Sequence, residues 1–397
     1  VIIGGGMAGL SCAQRLREQG ASVVVLEQGV CGAGATGKSS GFITPDSELG
    51  LHDLIARFGE ETAHKLWEFT LSGVAHIGST AARYNVVCDY TVQDSLYIAN
   101  TFSKVYRIQE EFEAYEQLNF PAQFYKKDQL ASVIGSRALF GALRFGGTFG
   151  INAYAYAQGL KEALKQEGVR MYEKTPATRI LGHSVEAGGH TVKADYVVAC
   201  TDRFLPQLGL MKKDIYTALA FLGLTKPLMD QDAARIFPKD RFMVWDTDLI
   251  YQYYRLTGEN RLLIGASSLV YTYFPYERPV PSRIIKKMYA YTARHFPDVR
   301  IEIEYAWPGL IGVSKDFLPL AGRREGSPHV FYIGGAAGLP WAAALGIYIA
   351  DKIVNKVSDF DDLFTAERTF PISKSIQTLL RKPLTFALSH GKVKYFK

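Results

Sequence analysis

The chain has 397 residues, which is too long for one simple core, so we expect two intertwined domains. The formal charge of +6 is spread along the sequence apart from a basic stretch near the end, and no run of about 18 apolar residues predicts a membrane-spanning helix. Four widely separated cysteines and eight unclustered histidines argue against a disulfide framework and a metal centre, and they fit a reducing cytoplasm.

The first elements of the chain predict a dinucleotide-binding βαβ unit. An apolar run leads into Gly4, Gly6 and Gly9 with G-x-G-x-x-G spacing, a helical stretch follows, and a second apolar run ends in Glu27. Gly4 permits the tight turn, Gly6 lets the backbone approach a pyrophosphate, and Gly9 lets the helix pack closely on the strand. Phosphates would face the free N–H groups of the helix N-terminus, and Glu27 would accept hydrogen bonds from ribose hydroxyls. An empty doubly wound domain is the alternative.

Further along the chain, stretches with helical spacing alternate with strand-like ones. The predicted helices cover residues 51–84, 106–118, 153–167, 282–296 and 342–357. The predicted strands cover residues 88–98, 169–173, 193–200, 242–245, 249–256 and 261–266, and a further one begins at residue 330. Buried strands return at 193–200 and after 330, so the dinucleotide scheme is interrupted twice by insertions that build a second domain.

We therefore predict an α/β protein in which a doubly wound, Rossmann-like domain is interrupted by a second α+β domain with an antiparallel sheet. The predicted dinucleotide-binding domain comprises residues 1–80, 146–215 and 305–360, and the predicted substrate domain comprises residues 81–145 and 216–304. Residues 361–397 form a basic tail. A solvated terminus is the preferred interpretation of this tail, and docking to a partner or to a membrane surface is the alternative.

Four blocks, spread over nearly the whole chain, resemble the D-amino-acid oxidase, glycine oxidase and sarcosine oxidase family of FAD-dependent oxidoreductases. They are the opening unit at 4–27, the loop Gly-Ala-Thr-Gly-Lys-Ser-Ser-Gly at 34–41, the segment 168–200, and the stretches 307–319 and 334–341. The resemblance implies an FAD-binding domain of the glutathione-reductase type. It also implies non-covalent FAD, since neither the cysteine nor the histidine that tethers flavin in some relatives is evident.

The opening motif and the resemblance together assign candidate residues to the cofactor. In the family, the loop at 34–41 wraps the pyrophosphate and the flavin edge, and a strand at 175–178 supplies backbone groups to the adenine. The C-terminal stretches lie beside the flavin ring, where backbone N–H groups would stabilise the charge that develops on reduction. A solvated lysine is the alternative for Lys38. The candidates are Gly4, Gly6, Met7, Ala8, Gly9, Glu27, Gln28, Ala35, Thr36, Lys38, Ser39, Ser40, Gly41, Ala177, Gly309, Gly338, Leu339 and Pro340.

Two departures from the family pattern concern the substrate and the electron acceptor. Glycine and D-amino-acid oxidases carry an arginine two residues after the glycine of a Trp-x-Gly motif, where it holds the substrate carboxylate, and Ile311 stands there in this chain. Either the carboxylate is held elsewhere, or the substrate is an amine without an adjacent carboxylate, as in similar members that oxidise glutamylated polyamines. Leu263 stands where monomeric sarcosine oxidase has an oxygen-activating lysine, so oxygen and an electron carrier are both candidate acceptors.

One strand of the second domain supplies the candidate substrate-facing residues. In the run 249–256, Tyr251 and Tyr253 share a strand face with Arg255. The resemblance places this sheet over the flavin, so these three side chains are the candidate catalytic residues that hold the polar end of a substrate. The alternative is that the tyrosines pack within the sheet while Arg255 is exposed or paired with an acid.

These features together predict an FAD-dependent oxidoreductase that acts on an amine or amino acid, either free in the cytoplasm or peripherally at the inner face of a membrane. The neutral amine would pass a hydride from its α-carbon to flavin N5, and water would hydrolyse the resulting imine, so a dry pocket matters more than a base. An NAD-dependent dehydrogenase without flavin is the alternative for the cofactor, and two alternatives for the function stay open. One is oxidation of a 2-hydroxy acid or glycerol phosphate, and the other is a non-catalytic flavin-binding subunit. No nucleic-acid partner is predicted.

Overall fold

The computed structural model of the chain describes residues 1–46, 48–248, 250–271, 277–336 and 338–370, with eight further positions between 372 and 388. Within these residues the helices are α1 (Met7–Glu18), α2 (Leu51–Phe58), α3 (Glu60–Arg83), α4 (Val105–Gln117), α5 (Ala153–Gln166), α6 (Asp230–Ile236), α7 (Ser282–His295), α8 (Leu339–Val354) and α9 (Asp361–Phe364). Short 3-10 helices cover Phe102–Lys104, Lys127–Ser132 and Asp202–Leu208.

The strands of the same residues fall into two groups along the chain. The first group is β1 (Ile2–Ile3), β2 (Val24–Leu26), β3 (Phe42–Ile43), β4 (Thr91–Val92), β5 (Asp94–Ala99), β6 (Gln123–Lys126), β7 (Gly141–Phe145), β8 (Phe149–Gly150), β9 (Arg170–Tyr172), β10 (Ala177–Leu181) and β11 (Ser184–Ala187). The second group is β12 (His190–Lys193), β13 (Val197–Ala199), β14 (Ile215–Thr225), β15 (Phe242–Asp246), β16 (Tyr253–Leu256), β17 (Leu262–Gly265), β18 (Val270–Tyr271), β19 (Ile303–Ser314), β20 (Leu320–Arg324) and β21 (Ser327–Gly334).

A six-stranded sheet forms the centre of the dinucleotide-binding part. Its strand order is β20, β21, β13, β1, β2 and β9, and every neighbouring pair is parallel except β20 with β21. The strand β1 is buried and apolar, as expected for a strand covered on both faces. Because β2 and β13 lie on opposite sides of β1, the chain reverses its direction across the sheet there, which leaves a crevice at the carboxyl ends of these strands.

A nine-stranded mixed sheet forms the second part. Its order is β18, β14, β17, β16, β15, β5, β7 and β6, and β19 pairs with β14 along nearly its whole length. Two three-stranded antiparallel sheets, β10 to β12 and β3, β8, β4, complete the strands. The predicted fold class is confirmed. The predicted limit at residue 305 falls inside β19, which belongs to this second sheet, and the exact domain limits stay a prediction.

The helices α1 and α8 pack closely and share the largest core. A side chain at Gly346 would place its Cβ 2.4 Å from the backbone oxygen of Ala8, so glycine permits the close approach of the two helices. Buried Leu10 of α1 and Leu345 of α8 belong to the same apolar cluster as Trp67 of α3. The packing fixes both helices so that residues of each N-terminus reach the same cleft.

Three sequence expectations need correction. The single helix predicted at 51–84 is two helices in the structure: α2 ends at Phe58, because the φ of +79° at Gly59 does not fit a helix, and α3 begins at Glu60. The strand expected at 249–256 is confined to β16, while residue 249 lies outside the described residues. The helix expected to start at residue 342 begins at Leu339, because a proline fits the first turn of a helix.

The region predicted as a solvated tail begins with a packed segment. Phe364 is fully buried, and the guanidinium of Arg368 lies 2.7 Å from the carboxylate of buried Asp316. Residues 361–370 therefore belong to the folded body. The basic residues on which the tail prediction depended, at 374, 381, 382, 392, 394 and 397, lie outside the described residues. Across the described ranges, no helix is both long and apolar enough to cross a membrane.

Candidate active site

A cleft of about 430 Å³ is lined by residues of both large sheets. Several of its residues directly follow parallel strands: Gly4 follows β1, Glu27 follows β2 and Cys200 follows β13. Gly334, the last residue of β21, also lines it. In open α/β sheets, ligands bind at the carboxyl ends of the strands where the strand order reverses, so the position of this cleft is that of a cofactor site.

The glycine-rich turn has the geometry that its spacing predicts. Gly4 has a φ of +105°, and a Cβ there would lie 2.4 Å from the backbone oxygen of Cys200. A Cβ at Gly9 would lie 1.9 Å from the backbone oxygen of Gly4. The N–H of Met7 donates to the Thr36 hydroxyl at 3.0 Å, which docks the loop at 34–41 on the first turn of α1. The backbone therefore forms a close, side-chain-free floor to the cleft.

The Glu27 carboxylate is held at one part of the cleft by two backbone donors. The N–H groups of Gly5 and Gly29 donate to its two oxygens, each at 2.8 Å. A carboxylate oxygen can accept more than one hydrogen bond, so both oxygens keep capacity for hydroxyl donors of a ligand. Gln28 and Ala177 line the cleft beside it. This is the arrangement that the ribose interpretation of Glu27 requires.

Asp202 ties three segments of the cleft together. It follows β13 with an unusual positive φ of +48°, and its carboxylate accepts the N–H of Gly312 at 2.6 Å and of Gly335 at 2.9 Å. Such a backbone conformation in a non-glycine residue persists only where its surroundings impose it. Asp202 is not among the predicted site residues, because its only signal in the sequence is an acid shortly after a buried strand.

The chain's own groups fit a dinucleotide in this cleft. The N-cap residues of α1 and α8 form no side-chain cap, and residues of both first turns line the cleft, although the N–H of Met7 in α1 donates to the Thr36 hydroxyl. Helix N-termini with free N–H groups are suited to anionic or electron-rich ligand groups. Within the described part of the chain, the buried hydroxyl of Thr201, which also lines the cleft, has no hydrogen-bond partner. A buried polar atom without a partner is explained by a ligand that supplies one.

Two basic side chains line the cleft near Gly309. Lys38 lines the cleft and forms an ion pair with Glu277, so the alternative of a solvated lysine is wrong. The guanidinium of Arg203 donates to the backbone oxygen of Leu310 at 3.1 Å. Burial lowers the pKa of Arg203, while Asp202 and Glu277 oppose this effect.

An aromatic wall covers another part of the cleft. Tyr251 and Tyr253 both line it, with ring centroids 5.6 Å apart, and Phe42 lies 6.0 Å from Tyr253 and 6.4 Å from Trp245. The hydroxyl of Tyr251 donates to Glu48 at 3.1 Å. The structure thus brings the two predicted tyrosines to the cleft and adds Phe42, Trp245 and Glu48, which the sequence analysis did not select.

The prediction that Arg255 holds a substrate is wrong in this structure. Its side chain is 2% exposed and lies outside the cleft, where its Nε donates to the backbone oxygen of Ser40 at 2.8 Å and a terminal nitrogen donates to that of Ile151 at 2.7 Å. Burial lowers the pKa of the Arg255 guanidinium to about 10. The alternative prediction, an arginine that is exposed or paired with an acid, is also wrong among the described residues. The Arg255 side chain instead joins the backbone segments at Ser40 and Ile151. The alternation of residues along a strand predicts which face of the sheet a side chain occupies, but it does not predict which groups the end of that side chain contacts.

Most of the predicted cofactor residues line the cleft. They are Gly4, Gly6, Met7, Ala8, Glu27, Gln28, Ala35, Thr36, Lys38, Ser39, Ser40, Ala177, Gly309, Gly338, Leu339 and Pro340. Gly9 and Gly41 do not, and their predicted contact with the cofactor is corrected to a packing role. A Cβ at Gly41 would lie 1.8 Å from the backbone oxygen of Ile151, and Gly41 has a φ of +69°. Contact of the lining residues with FAD stays a prediction.

Asp246 supports the loop that carries Tyr251. Its carboxylate accepts the N–H of Asp248 at 3.0 Å and of Gln252 at 3.3 Å, and Asn100 donates to it at 3.2 Å. Burial raises the pKa of the Asp246 carboxyl to about 7. The position of the aromatic wall therefore depends on a buried acid outside the cleft.

The described ranges contain no group of three or more histidine, cysteine or acidic side chains that could hold a metal ion.

Comparisons with known proteins show the family to which the chain belongs. A family model described as FAD dependent oxidoreductase (DAO) matches residues 1–352. Because the match covers most of the chain, the protein belongs to this family and is an FAD-dependent oxidoreductase. The chain is 28% identical to the probable oxidoreductase OrdL of Haemophilus influenzae and 27% identical to gamma-glutamylputrescine oxidoreductase of Escherichia coli. Each match covers 85% of this chain and 78% of the relative.

Solved structures show the same fold. Glycine oxidase from Geobacillus kaustophilus superposes with a TM-score of 0.80 at 20% identity, over 93% of this chain and 98% of that chain. L-proline dehydrogenase from P. horikoshii superposes with a TM-score of 0.76 at 16% identity, over 90% and 93% of the two chains. At these identities the likeness concerns the fold, which an oxidase and a dehydrogenase share.

Proposed function

We propose that this enzyme oxidises the C–N bond of an amine or amino acid, with FAD held non-covalently along the cleft. The observation that carries the proposal is the cleft itself. Its floor at Gly4 and Thr36 is suited to a dinucleotide, and it continues into a wall of aromatic and apolar side chains. The names of the relatives support it, since one acts on gamma-glutamylputrescine and a structural neighbour on glycine. Oxygen and an electron carrier are both proposed as the final acceptor.

Bound FAD would supply the acceptor for the hydride, which carries the two electrons that the substrate loses. The chain's residues hold the amine and exclude water from it. Phe42, Tyr253 and Ile311 line the cleft with apolar surface, which favours the neutral amine whose nitrogen lone pair assists the reaction. The N-terminus of α8 presents backbone N–H groups and the positive end of its dipole to the cleft, where they would stabilise developing negative charge.

Within this class, we propose an amine whose reacting carbon carries no carboxylate. Ile311 lines the cleft at the position where the resembled oxidases hold a carboxylate with arginine, and Arg255 is committed to backbone oxygens. Arg203 favours the second candidate, an amino acid, because it lines the cleft and its buried Nε has no hydrogen-bond partner among the described residues. A guanidinium with an unused donor can bind a carboxylate.

Anaerobic mixing of the flavin-loaded protein with a panel of substrates tests the proposal. Loss of flavin absorbance should be at least about tenfold faster with amines that lack an adjacent carboxylate than with glycine or sarcosine, since no bidentate partner aligns their carboxylate. Lactate and glycerol phosphate serve as controls for alcohol oxidation and should leave the flavin oxidised. Rapid reaction of glycine would contradict the interpretation of Ile311. A flavin that no amine or amino acid reduces would contradict the proposed function.

A further inference from the structure

One part of the cleft combines aromatic rings with carboxylates. Tyr253 lies between Tyr251 and Phe42, with centroid distances of 5.6 and 6.0 Å, so the three rings form a continuous surface. Asp46 and Glu48, which follow β3, line the cleft as well. Ring faces carry negative electrostatic potential and attract cations, and a carboxylate beside them strengthens that attraction.

The hydroxyl of Tyr251 connects the rings to the acids. It donates to Glu48 at 3.1 Å, so the phenol is the donor and the carboxylate is the acceptor. Burial, and then the neighbouring charge of Glu48, raise the pKa of Tyr251 well above its usual range, which keeps this phenol neutral. The charge of Glu48 also acts on buried Tyr253, whose pKa is raised. Both tyrosines therefore lie in the field of the acidic residues.

The basic residues of the cleft are grouped differently. Lys38 is paired with Glu277, and the charges that act on Arg203 are those of Asp202 and Glu277. The charges that act on Tyr251 are those of Glu48 and Asp46 instead. Among the described residues that line the cleft, the basic ones therefore lie in a region of mixed charge near Gly309, whereas Asp46 and Glu48 lie with the aromatic rings. The nitrogen that reacts is neutral and gains little from carboxylates, so the acidic, aromatic region is better suited to another part of the substrate.

We infer that the region formed by Phe42, Tyr251 and Tyr253 with Asp46 and Glu48 binds a second, cationic nitrogen of the substrate, at a distance from the nitrogen whose C–N bond is oxidised. The inference rests on the proposed function and narrows it to amines of the diamine or polyamine type. A substrate with an anionic group at the same distance is repelled by the two carboxylates. An uncharged alkyl arm contacts the rings but gains nothing from the acids.

Three substrates of matched length test this inference on the holoenzyme. Putrescine carries a cationic arm, butylamine an uncharged arm and γ-aminobutyrate an anionic arm. Under anaerobic conditions and at low salt, the second-order rate of flavin reduction should fall in that order, with putrescine at least about tenfold faster than butylamine. Added salt should reduce the difference. Equal rates for putrescine and butylamine, or faster reaction of γ-aminobutyrate, would overturn the inference while leaving amine oxidation standing.

A variant identifies the residues responsible. Glu48→Gln should lower the ratio of the putrescine rate to the butylamine rate several-fold, and adding Asp46→Asn should bring it near unity. The control Glu186→Gln alters a carboxylate of β11 that pairs loosely with Arg179, at 3.8 Å, and should leave the ratio unchanged. A ratio that survives in the double variant would overturn the assignment of these carboxylates.

A binding measurement separates this inference from the proposed function. Analogues of putrescine and butylamine that are dimethylated at each carbon beside nitrogen have no hydrogen there to transfer, so calorimetry with the holoenzyme reports binding alone. The diamine analogue should bind at least about tenfold more tightly than the monoamine, and Glu48→Gln should remove most of the difference. Equal binding of the two would refute the cationic site. Tighter diamine binding in a protein whose flavin no amine reduces would retain the site and refute amine oxidation.

Discussion

Gly9→Ala should leave the protein with little bound FAD. The added Cβ would lie 1.9 Å from the backbone oxygen of Gly4. Gly4 cannot easily move away, because its backbone packs so closely on Cys200 that a Cβ on Gly4 would lie 2.4 Å from the Cys200 oxygen. Overpacking of this kind costs about 1–3 kcal/mol, which corresponds to roughly 5-fold to 150-fold weaker binding if it falls on the cofactor site. Quenching of FAD fluorescence during titration of the cofactor-free protein measures the effect.

The matched control is Gly78→Ala in α3. A Cβ at Gly78 would meet its nearest neighbour, the ring of Phe149, at 3.4 Å, which is an ordinary contact, and alanine favours the helix by about 1 kcal/mol over glycine. This variant should bind FAD as the parent does and unfold at the same or a slightly higher temperature. If Gly9→Ala bound FAD as tightly as the Gly78→Ala control, the close-packed turn would not be the cofactor floor that we describe.

Asp316→Ala should destabilise the fold by about 3–5 kcal/mol, because it leaves the buried guanidinium of Arg368 and the partly buried one of Arg57 without their anion. The Asp316 side chain is fully buried, and its oxygens lie 2.6 Å from Arg57 and 2.7 Å from Arg368. Burial alone would raise the pKa of this carboxyl, but Arg368 and Arg57 outweigh it and hold the pKa below its usual value. Urea unfolding at neutral pH measures the loss.

The pH dependence of Asp316 has a defined sign. Because its pKa is lowered in the folded state, its ion pairs stabilise the protein above the pKa that it has when unfolded, and this stability is lost as the pH falls through the folded value. Asp316→Asn should therefore differ from the parent most at neutral pH and least in acid. Glu186→Ala, at the more exposed pair with Arg179, should change the unfolding midpoint little. A loss below about 1 kcal/mol in Asp316→Ala would contradict the account.

Local motifs predicted the floor of the site. Gly4, Gly9 and Thr36 act through their own backbone or through one hydroxyl, and these constraints are written within some thirty residues of sequence. The resemblance extended the prediction to Gly309 and the N-terminus of α8, because one block covers the second half of β19 and the other covers the connection from β21 to α8. In the structure Gly4, Thr36, Gly309 and the N-terminus of α8 line the cleft, whereas Gly9 packs against Gly4.

The remainder of the site depends on contacts that no single segment encodes. Asp202 is recognisable only because Gly312 and Gly335, more than a hundred residues later, present their N–H groups to it. Glu48 meets Tyr251 across some two hundred positions of sequence. The prediction for Arg255 is wrong for a related reason, because the backbone oxygens of Ser40 and Ile151 that bind its side chain lie far from it in the sequence. Strand periodicity predicts which face a residue occupies, whereas tertiary packing decides what it meets there.

The absorption spectrum of the purified protein, recorded before and after acid precipitation, tests the central claim most directly. If the cleft holds FAD without a covalent bond, the protein shows a flavin spectrum, and the whole of that flavin stays in solution as FAD when the protein precipitates. A protein that is colourless and stays colourless after incubation with FAD, or flavin that remains attached to the precipitate, would contradict it.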